Sequence, residues 1–176
     1  MKRPFSVIVL IACLLAAPTS FGSNQWRLDE LGVGLQFPEH WHLTPQSVSG
    51  DLAKGGLLLR ALRTPGVPAG VRFELQLEPL AIQNPPLREA LKTLVDGLKQ
   101  TPQVLVRNNK TDIVSASSHQ AELTWQIEGS NHTIVSLYRV LDRSDRRFLI
   151  SISGRQELIQ GVRTEINQVL DSMGAE

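Results

Sequence analysis

The sequence predicts a single α+β domain in which one antiparallel sheet is packed by two main helices. Several extended segments carry apolar side chains at every second position. This period of two puts one face of a strand on a core and the other in water, which is typical of antiparallel sheets. One helical segment interrupts these strands and another follows them, so the predicted order is strands, helix, strands, helix.

The first 22 residues are typical of an export signal. Lys2 and Arg3 precede an apolar run over residues 5–17, and small and polar residues follow it. The run is too short for a membrane-spanning helix, which needs roughly 20 apolar residues. We therefore predict cleavage between Gly22 and Ser23, a single domain over 23–176, no transmembrane helix in the mature chain, and a periplasmic or secreted location.

An alternative interpretation concerns Cys13, the only cysteine of the chain. Residues 10–13 read Leu-Ile-Ala-Cys, the order of a bacterial lipoprotein box in which the cysteine is acylated. Such a protein would be a lipoprotein anchored to the membrane. The apolar run continues past Cys13, whereas a polar tether normally follows a lipidated terminus. This favours a cleaved signal, after which the mature chain contains no cysteine and forms no disulfide.

The charge balance argues against nucleic acid as a partner. The chain has 18 basic and 17 acidic residues, a formal net charge of +1. A nearly neutral chain offers no field of one sign to attract a polyanion.

The first strand pair and the first helix have clear signals. Residues 57–62 and 71–77 are predicted strands, joined by a loop rich in proline and glycine over 65–70. Pro85 and Pro86 are suited to the first turn of a helix, where the missing N–H does no harm. Leucines at 87, 91, 94 and 98 then form one stripe, and Thr101-Pro102 ends the element.

The second half of the chain is predicted to form consecutive strands. Alternation is clearest over 120–128, which a turn joins to a strand over 133–141, and a further turn leads into a strand over 147–153. Before them, 103–107 and 111–116 are interpreted as two strands around a turn at Asn108-Asn109.

The last element is predicted to be one helix. Ser153 would be its N-cap, with Gln156 completing a capping box. Gly174 would be its C-cap. Apolar residues repeat at helical spacing between them: Leu158, Val162, Ile166, Val169 and Met173.

A short motif near the mature N-terminus resembles a known family. Residues 34–41 read Gly-Leu-Gln-Phe-Pro-Glu-His-Trp, a glycine, an aromatic-proline pair and a tryptophan three residues after the proline. This is similar to the opening strand of the PsbP-like and DcrB-like proteins. The resemblance implies an α/β/α sandwich and a bacterial envelope member. It also implies a role in binding other macromolecules, as in photosystem accessory subunits and a nuclear import factor. It supplies no catalytic residue.

The best candidate ligands for a metal are Glu39, His40 and His42. Histidines two apart on a strand face the same side and can share a metal ion. A site would need a further ligand from elsewhere, and the favoured interpretation is a polar turn beside Trp41. We predict no metal, no cofactor and no catalytic residue, because the sequence contains none of the common hydrolase motifs.

The arginines at 139, 143, 146 and 147 form the one local concentration of positive charge. Because Asp142 and Asp145 lie among them, we interpret this segment as a solvated hairpin turn with its own ion pairs.

The sequence therefore predicts an exported, non-enzymatic binding or accessory module whose partner is another envelope protein. Two alternatives remain at this point. The first is a metal-dependent or other hydrolase using Glu39, His40 and His42, and the second is a carrier of an apolar ligand.

Overall fold

The computed structural model describes residues 23–46, 54–63, 70–79, 85–143 and 145–173. The strands are β1 (Ser23–Leu28), β2 (Val33–Pro38), β3 (Trp41–Pro45), β4 (Gly56–Arg63), β5 (Val71–Leu77), β6 (Val104–Ser115), β7 (Ser118–Ile127), β8 (Thr133–Arg143) and β9 (Arg146–Arg155). The helices are α1 (Leu87–Lys99), α2 (Gln156–Gly161) and α3 (Arg163–Ser172), and a short 3-10 turn, Asp29–Leu31, joins β1 to β2.

Seven of these strands form one antiparallel sheet in the order β3-β4-β5-β9-β8-β7-β6. The hairpin β1-β2 is a separate two-stranded sheet. The last strand, β9, lies in the middle of the large sheet between β5 and β8. The predicted α+β domain, with an antiparallel sheet and two main helical regions, is confirmed.

The sheet has a hydrophobic cluster on each face. On one face, β1-β2, α2 and α3 cover the larger cluster, at whose centre Phe73 contacts Phe37 with ring centroids 5.1 Å apart. On the other face, α1 packs on β6, β7 and β8 and buries Leu91 against Leu123 and Val140. The alternation of β5 places Val71, Phe73, Leu75 and Leu77 in the larger cluster.

Helix α1 follows the sequence prediction closely. It begins directly after Pro86, whose carbonyl accepts the first helical hydrogen bonds. Leu87, Leu91 and Val95 are buried, whereas Leu94 and Leu98 of the predicted stripe are only partly buried. The helix therefore packs on its own sheet.

The motif over residues 34–41 spans most of β2, the turn that follows it and the first residue of β3. Pro38 is the last residue of β2, and Trp41 opens β3 with only 1% of its surface exposed. Trp41 therefore belongs to the larger cluster.

The turn predicted at Asn108-Asn109 is wrong, because both residues lie within the continuous strand β6. Asn108 pairs with Thr124 and Asn109 with Leu123. Pairing with β7 therefore outweighs the turn preference of two asparagines. The register of the pair shifts only at a β-bulge between Val106 and Asn108.

The predicted capping box of the last helix is also wrong. Ser153 lies in β9 and faces Arg72 and Ser136 on the neighbouring strands, and Arg155 occupies the N-cap without a side-chain cap. The helical stretch is divided at Val162, where φ is −114° and ψ is 15°. Gly174 lies outside the described residues.

Within the described ranges, none of the helices has the length and apolar content that crossing a membrane requires.

Candidate interaction surface

Strand β6 is the outermost strand on one side of the sheet, and β7 is the only described strand that pairs with it. A strand in this position presents a row of outward N–H and C=O groups that another chain can pair with. β6 is 12 residues long, which is long for a sheet edge, since natural edge strands are often kept short.

Exposed apolar side chains concentrate on the same hairpin. Among the described residues, five large hydrophobic side chains are exposed, and four of them belong to β6 and β7. Leu105 (41%) and Ile127 (48%) lie at one end, and Ile113 (74%) and Val114 (48%) lie at the other. We call these four residues together with the outer edge of β6 the edge surface.

Two β-bulges divide the edge surface. They lie between Val106 and Asn108 and between Ile113 and Ser115, and they leave a regular stretch over residues 108–113. Within it, Lys110 Nζ lies 3.1 Å from Asp112 Oδ2. Both of these side chains are largely exposed, so this ion pair contributes little to stability and remains available to a second partner.

The hairpin that carries this surface is held firmly. At its tip, the Asp142 N–H donates to the Ser117 carbonyl at 2.9 Å. At its other end, the Glu128 N–H donates to the Gln103 carbonyl at 2.7 Å. In the middle, Trp125 Nε1 donates to Ser136 Oγ at 3.0 Å. The edge is thus preorganised, which lowers the entropic cost of binding.

The structure separates the residues of the candidate metal site. Glu39 and His40 are exposed in the turn after β2, whereas His42 lies within β3 opposite Leu62. Since Trp41 between them points into the core, His42 lies on the other face of the sheet. In the described part of the chain, no group of three or more His, Cys, Asp or Glu side chains could hold a metal ion.

Trp41, which follows this turn, belongs to a structural cluster centred on Glu165 of α3. Arg63 donates to both of its carboxylate oxygens, at 2.8 Å and 2.9 Å, and Trp41 Nε1 donates at 3.1 Å. The hydrogen bonds from Arg63 contribute most to holding the pKa of Glu165 below its usual value. The Trp41 hydrogen bond and the charges of Arg63 and nearby His40 contribute less.

The arginine-rich hairpin is less solvated than predicted. Arg147 is only 5% exposed and holds Asp142 through two hydrogen bonds, at 2.7 Å and 2.9 Å. Arg139 donates to the Leu170 carbonyl in the last turn of α3, and burial lowers the pKa of its guanidinium. Arg143 donates to the Met173 carbonyl. Arg139 and Arg143 thus stabilise the C-terminal end of α3, where cations are favoured.

The structure describes only one of the residues at the predicted processing sites. Cys13 and Gly22 lie outside the described residues. Ser23 is the first residue of β1 and pairs with Pro38 of β2.

Comparison with known proteins shows the fold. No protein-family model and no curated protein sequence matches the chain. The solution structure of cyanobacterial PsbP (CyanoP) from Synechocystis is similar, with a TM-score of 0.56, 10% identity and coverage of 90% of this chain and 96% of that one.

Two further solved structures are similar at 12% identity. The Ran-binding protein Mog1p of Saccharomyces cerevisiae matches with a TM-score of 0.54, and the match covers 88% of this chain and 94% of the Mog1p chain. LpqN of Mycobacterium tuberculosis, involved in cell envelope biogenesis, matches with a TM-score of 0.51, and the match covers 78% of this chain and 79% of the LpqN chain. The chain therefore has the PsbP-like and DcrB-like fold that the motif over residues 34–41 predicts.

Proposed function

We propose that this protein is exported to the bacterial envelope and acts there as a non-enzymatic binding or accessory module that holds a protein partner through the edge surface. The observation that carries this proposal is that four of the five exposed large apolar side chains among the described residues lie on one hairpin, β6-β7, whose outer edge pairs with no other described strand. Such an edge binds an extended segment through backbone hydrogen bonds, and neighbouring side chains supply selectivity.

The structural neighbours support a binding role without naming a partner. Mog1p is a Ran-binding protein, and LpqN is involved in cell envelope biogenesis. A protein-binding role and an envelope role therefore both occur on this fold. Since one fold hosts many functions, the proposed binding role rests mainly on the edge surface.

Site-specific photocrosslinking tests the proposal. A photoreactive amino acid at Ile113 or Leu105 is expected to crosslink to a discrete protein in cells. The same amino acid at Leu62, which is 39% exposed on β4 and away from the edge surface, provides the matched control. If crosslinks fail to form at both edge positions, or form equally at Leu62, the edge surface is not the binding site.

The export step has its own test. The protein recovered from the periplasm is expected to begin at Ser23, the first residue of β1. Intact-mass measurement distinguishes this product from one that starts at an acylated Cys13 and from an uncleaved chain, and either of these would contradict the proposed processing. A Cys13→Ser variant is expected to mature normally.

The two alternatives have no geometric observation in their favour. The hydrolase would need Glu39, His40 and His42 at one site, yet His42 lies on the other face of the sheet from the larger cluster. Metal analysis of the purified protein tests this alternative. Native mass spectrometry tests for a bound apolar ligand.

A further inference from the structure

We infer that the edge surface pairs with a second copy of this chain, β6 against β6 in antiparallel orientation, with Thr111 facing Thr111 of the second copy. This inference rests on the proposed function, because it names the partner of the same surface. It follows from the β-bulges, the charges and the exposed apolar side chains of β6.

The bulges restrict pairing to the regular stretch over residues 108–113. Residues that face each other across an antiparallel pair point to the same side of the sheet. Within a regular stretch, the two-fold axis must therefore pass midway between one residue and the same residue of the second copy. Two positions of the axis keep most of the stretch paired. One lies between the two copies of Lys110 and the other between the two copies of Thr111, and we call them the axis through Lys110 and the axis through Thr111.

Charge decides between these two axes. An axis through Lys110 would place two ammonium groups directly opposite each other, which is destabilising. An axis through Thr111 instead places Lys110 of each copy opposite Asp112 of the other. Because Lys110 and Asp112 already lie 3.1 Å apart within one chain, the four side chains would alternate in sign on one face of the joined sheet. The opposed threonines on the axis are a favourable cross-strand pair.

The same register accounts for the most exposed apolar residue. Ile113 would face Asn109 of the second copy, with Val106 of that copy as its diagonal neighbour on the same side of the sheet. Val106 is only partly buried and packs against the cluster under α1. Pairing would thus cover Ile113, 74% of which is exposed in the single chain, against the partner's existing core.

The geometry also limits the size of the assembly. A two-fold interface uses the same surface on both copies and is therefore closed. The bulges at both ends keep the paired stretch short, and a short stretch buries less surface than a permanent dimer requires. We therefore expect a reversible dimer whose population rises with protein concentration.

Sedimentation velocity over a range of concentrations, on the protein as recovered from cells, tests this inference. Lys110→Asp and Asp112→Lys each turn two attractive cross-strand pairs into repulsive ones, so each is expected to raise the dimer dissociation constant by about tenfold or more. The double variant with both changes restores opposite signs and is expected to return the dissociation constant to near that of the wild type. Lys92→Asp, an exposed charge reversal on α1, is the matched control and should change nothing.

The outcomes separate the inference from the proposed function. Three results would overturn the inference. The protein could stay monomeric at every concentration, the single changes could leave the dimer dissociation constant unaltered, or the double variant could fail to restore the wild-type dissociation constant. If Ile113 nevertheless crosslinks to a different protein, the proposed function stands with that protein as the partner. If neither a dimer nor a crosslink forms, both fail. Thermal unfolding of each variant checks that these exposed substitutions leave the fold intact.

Discussion

Replacement of Glu165 by alanine is expected to destabilise the protein by about 2–3 kcal/mol. The carboxylate accepts two hydrogen bonds from Arg63 and one from the Trp41 indole, and so fixes α3 to β3 and β4. Hydrogen bonds to charged groups contribute about 1.5–3 kcal/mol each. The sum is discounted because the Arg63 and Glu165 side chains are 19% and 25% exposed, and water partly replaces the lost partner.

The effect should depend on pH. The pKa of Glu165 is lowered in the folded protein, chiefly by the hydrogen bonds from Arg63. A carboxyl group with a depressed folded pKa contributes stability that is fully present above its unfolded pKa, about 4.3, and lost as the pH falls through the folded pKa. The difference between wild type and Glu165→Ala should therefore be constant near pH 7 and shrink below about pH 4.

Urea denaturation at several pH values measures both quantities. At neutral pH, thermal unfolding should show a decrease in Tm of roughly 5–10 °C, since 1 kcal/mol corresponds to about 2–4 °C for a domain of this size. Glu157→Ala, an exposed carboxylate of α2, is the matched control and should cost less than about 0.5 kcal/mol. A Glu165→Ala variant as stable as this control, or a loss that does not change with pH, would refute the reasoning.

Other substitutions test the packing of the sheet. Arg147→Met removes the buried guanidinium that holds Asp142 and is expected to cost about 2–4 kcal/mol in urea denaturation; a loss below 1 kcal/mol would contradict its structural role. Gly70→Ala would make its Cβ overlap with the Arg63 carbonyl oxygen, so we expect a loss above about 2 kcal/mol. Gly97→Ala in α1 meets nothing within 4 Å and is expected to stabilise the protein by about 0.5–1 kcal/mol, so equal effects of these two glycine changes would be inconsistent with the structure.

The elements that sequence analysis predicts correctly are those whose signal is local. The alternation over 71–77 and the leucines of α1 each result from one face meeting a core, and both can be read from consecutive residues. The errors arise where a neighbour in space decides the structure. Asn108 and Asn109 favour a turn by themselves, but their pairing with β7 keeps them extended. Ser153 suits an N-cap, but two neighbouring strands hold it within β9.

The edge surface could not be predicted for the same reason. Nothing in the sequence of β6 shows that it is the outermost strand, because strand order depends on where the distant strand β9 inserts. The available signal was the number of large apolar residues in a strand that also contains two asparagines, a lysine and an aspartate. The metal hypothesis for His40 and His42 assumed that both histidines lie on one strand. In the structure β3 begins only at Trp41, so His40 lies in the turn before it.

The central position of β9 has a consequence for how the chain is made. Without Arg146–Arg155, the sheet consists of two separate pieces, β3-β4-β5 and β6-β7-β8, because β9 alone joins them. A nascent chain therefore cannot complete its core until β9 has been synthesised. Contacts between segments so distant in sequence also form slowly. If the chain is exported through a narrow channel, this delay works in its favour, since a precursor that folds late remains threadable for longer.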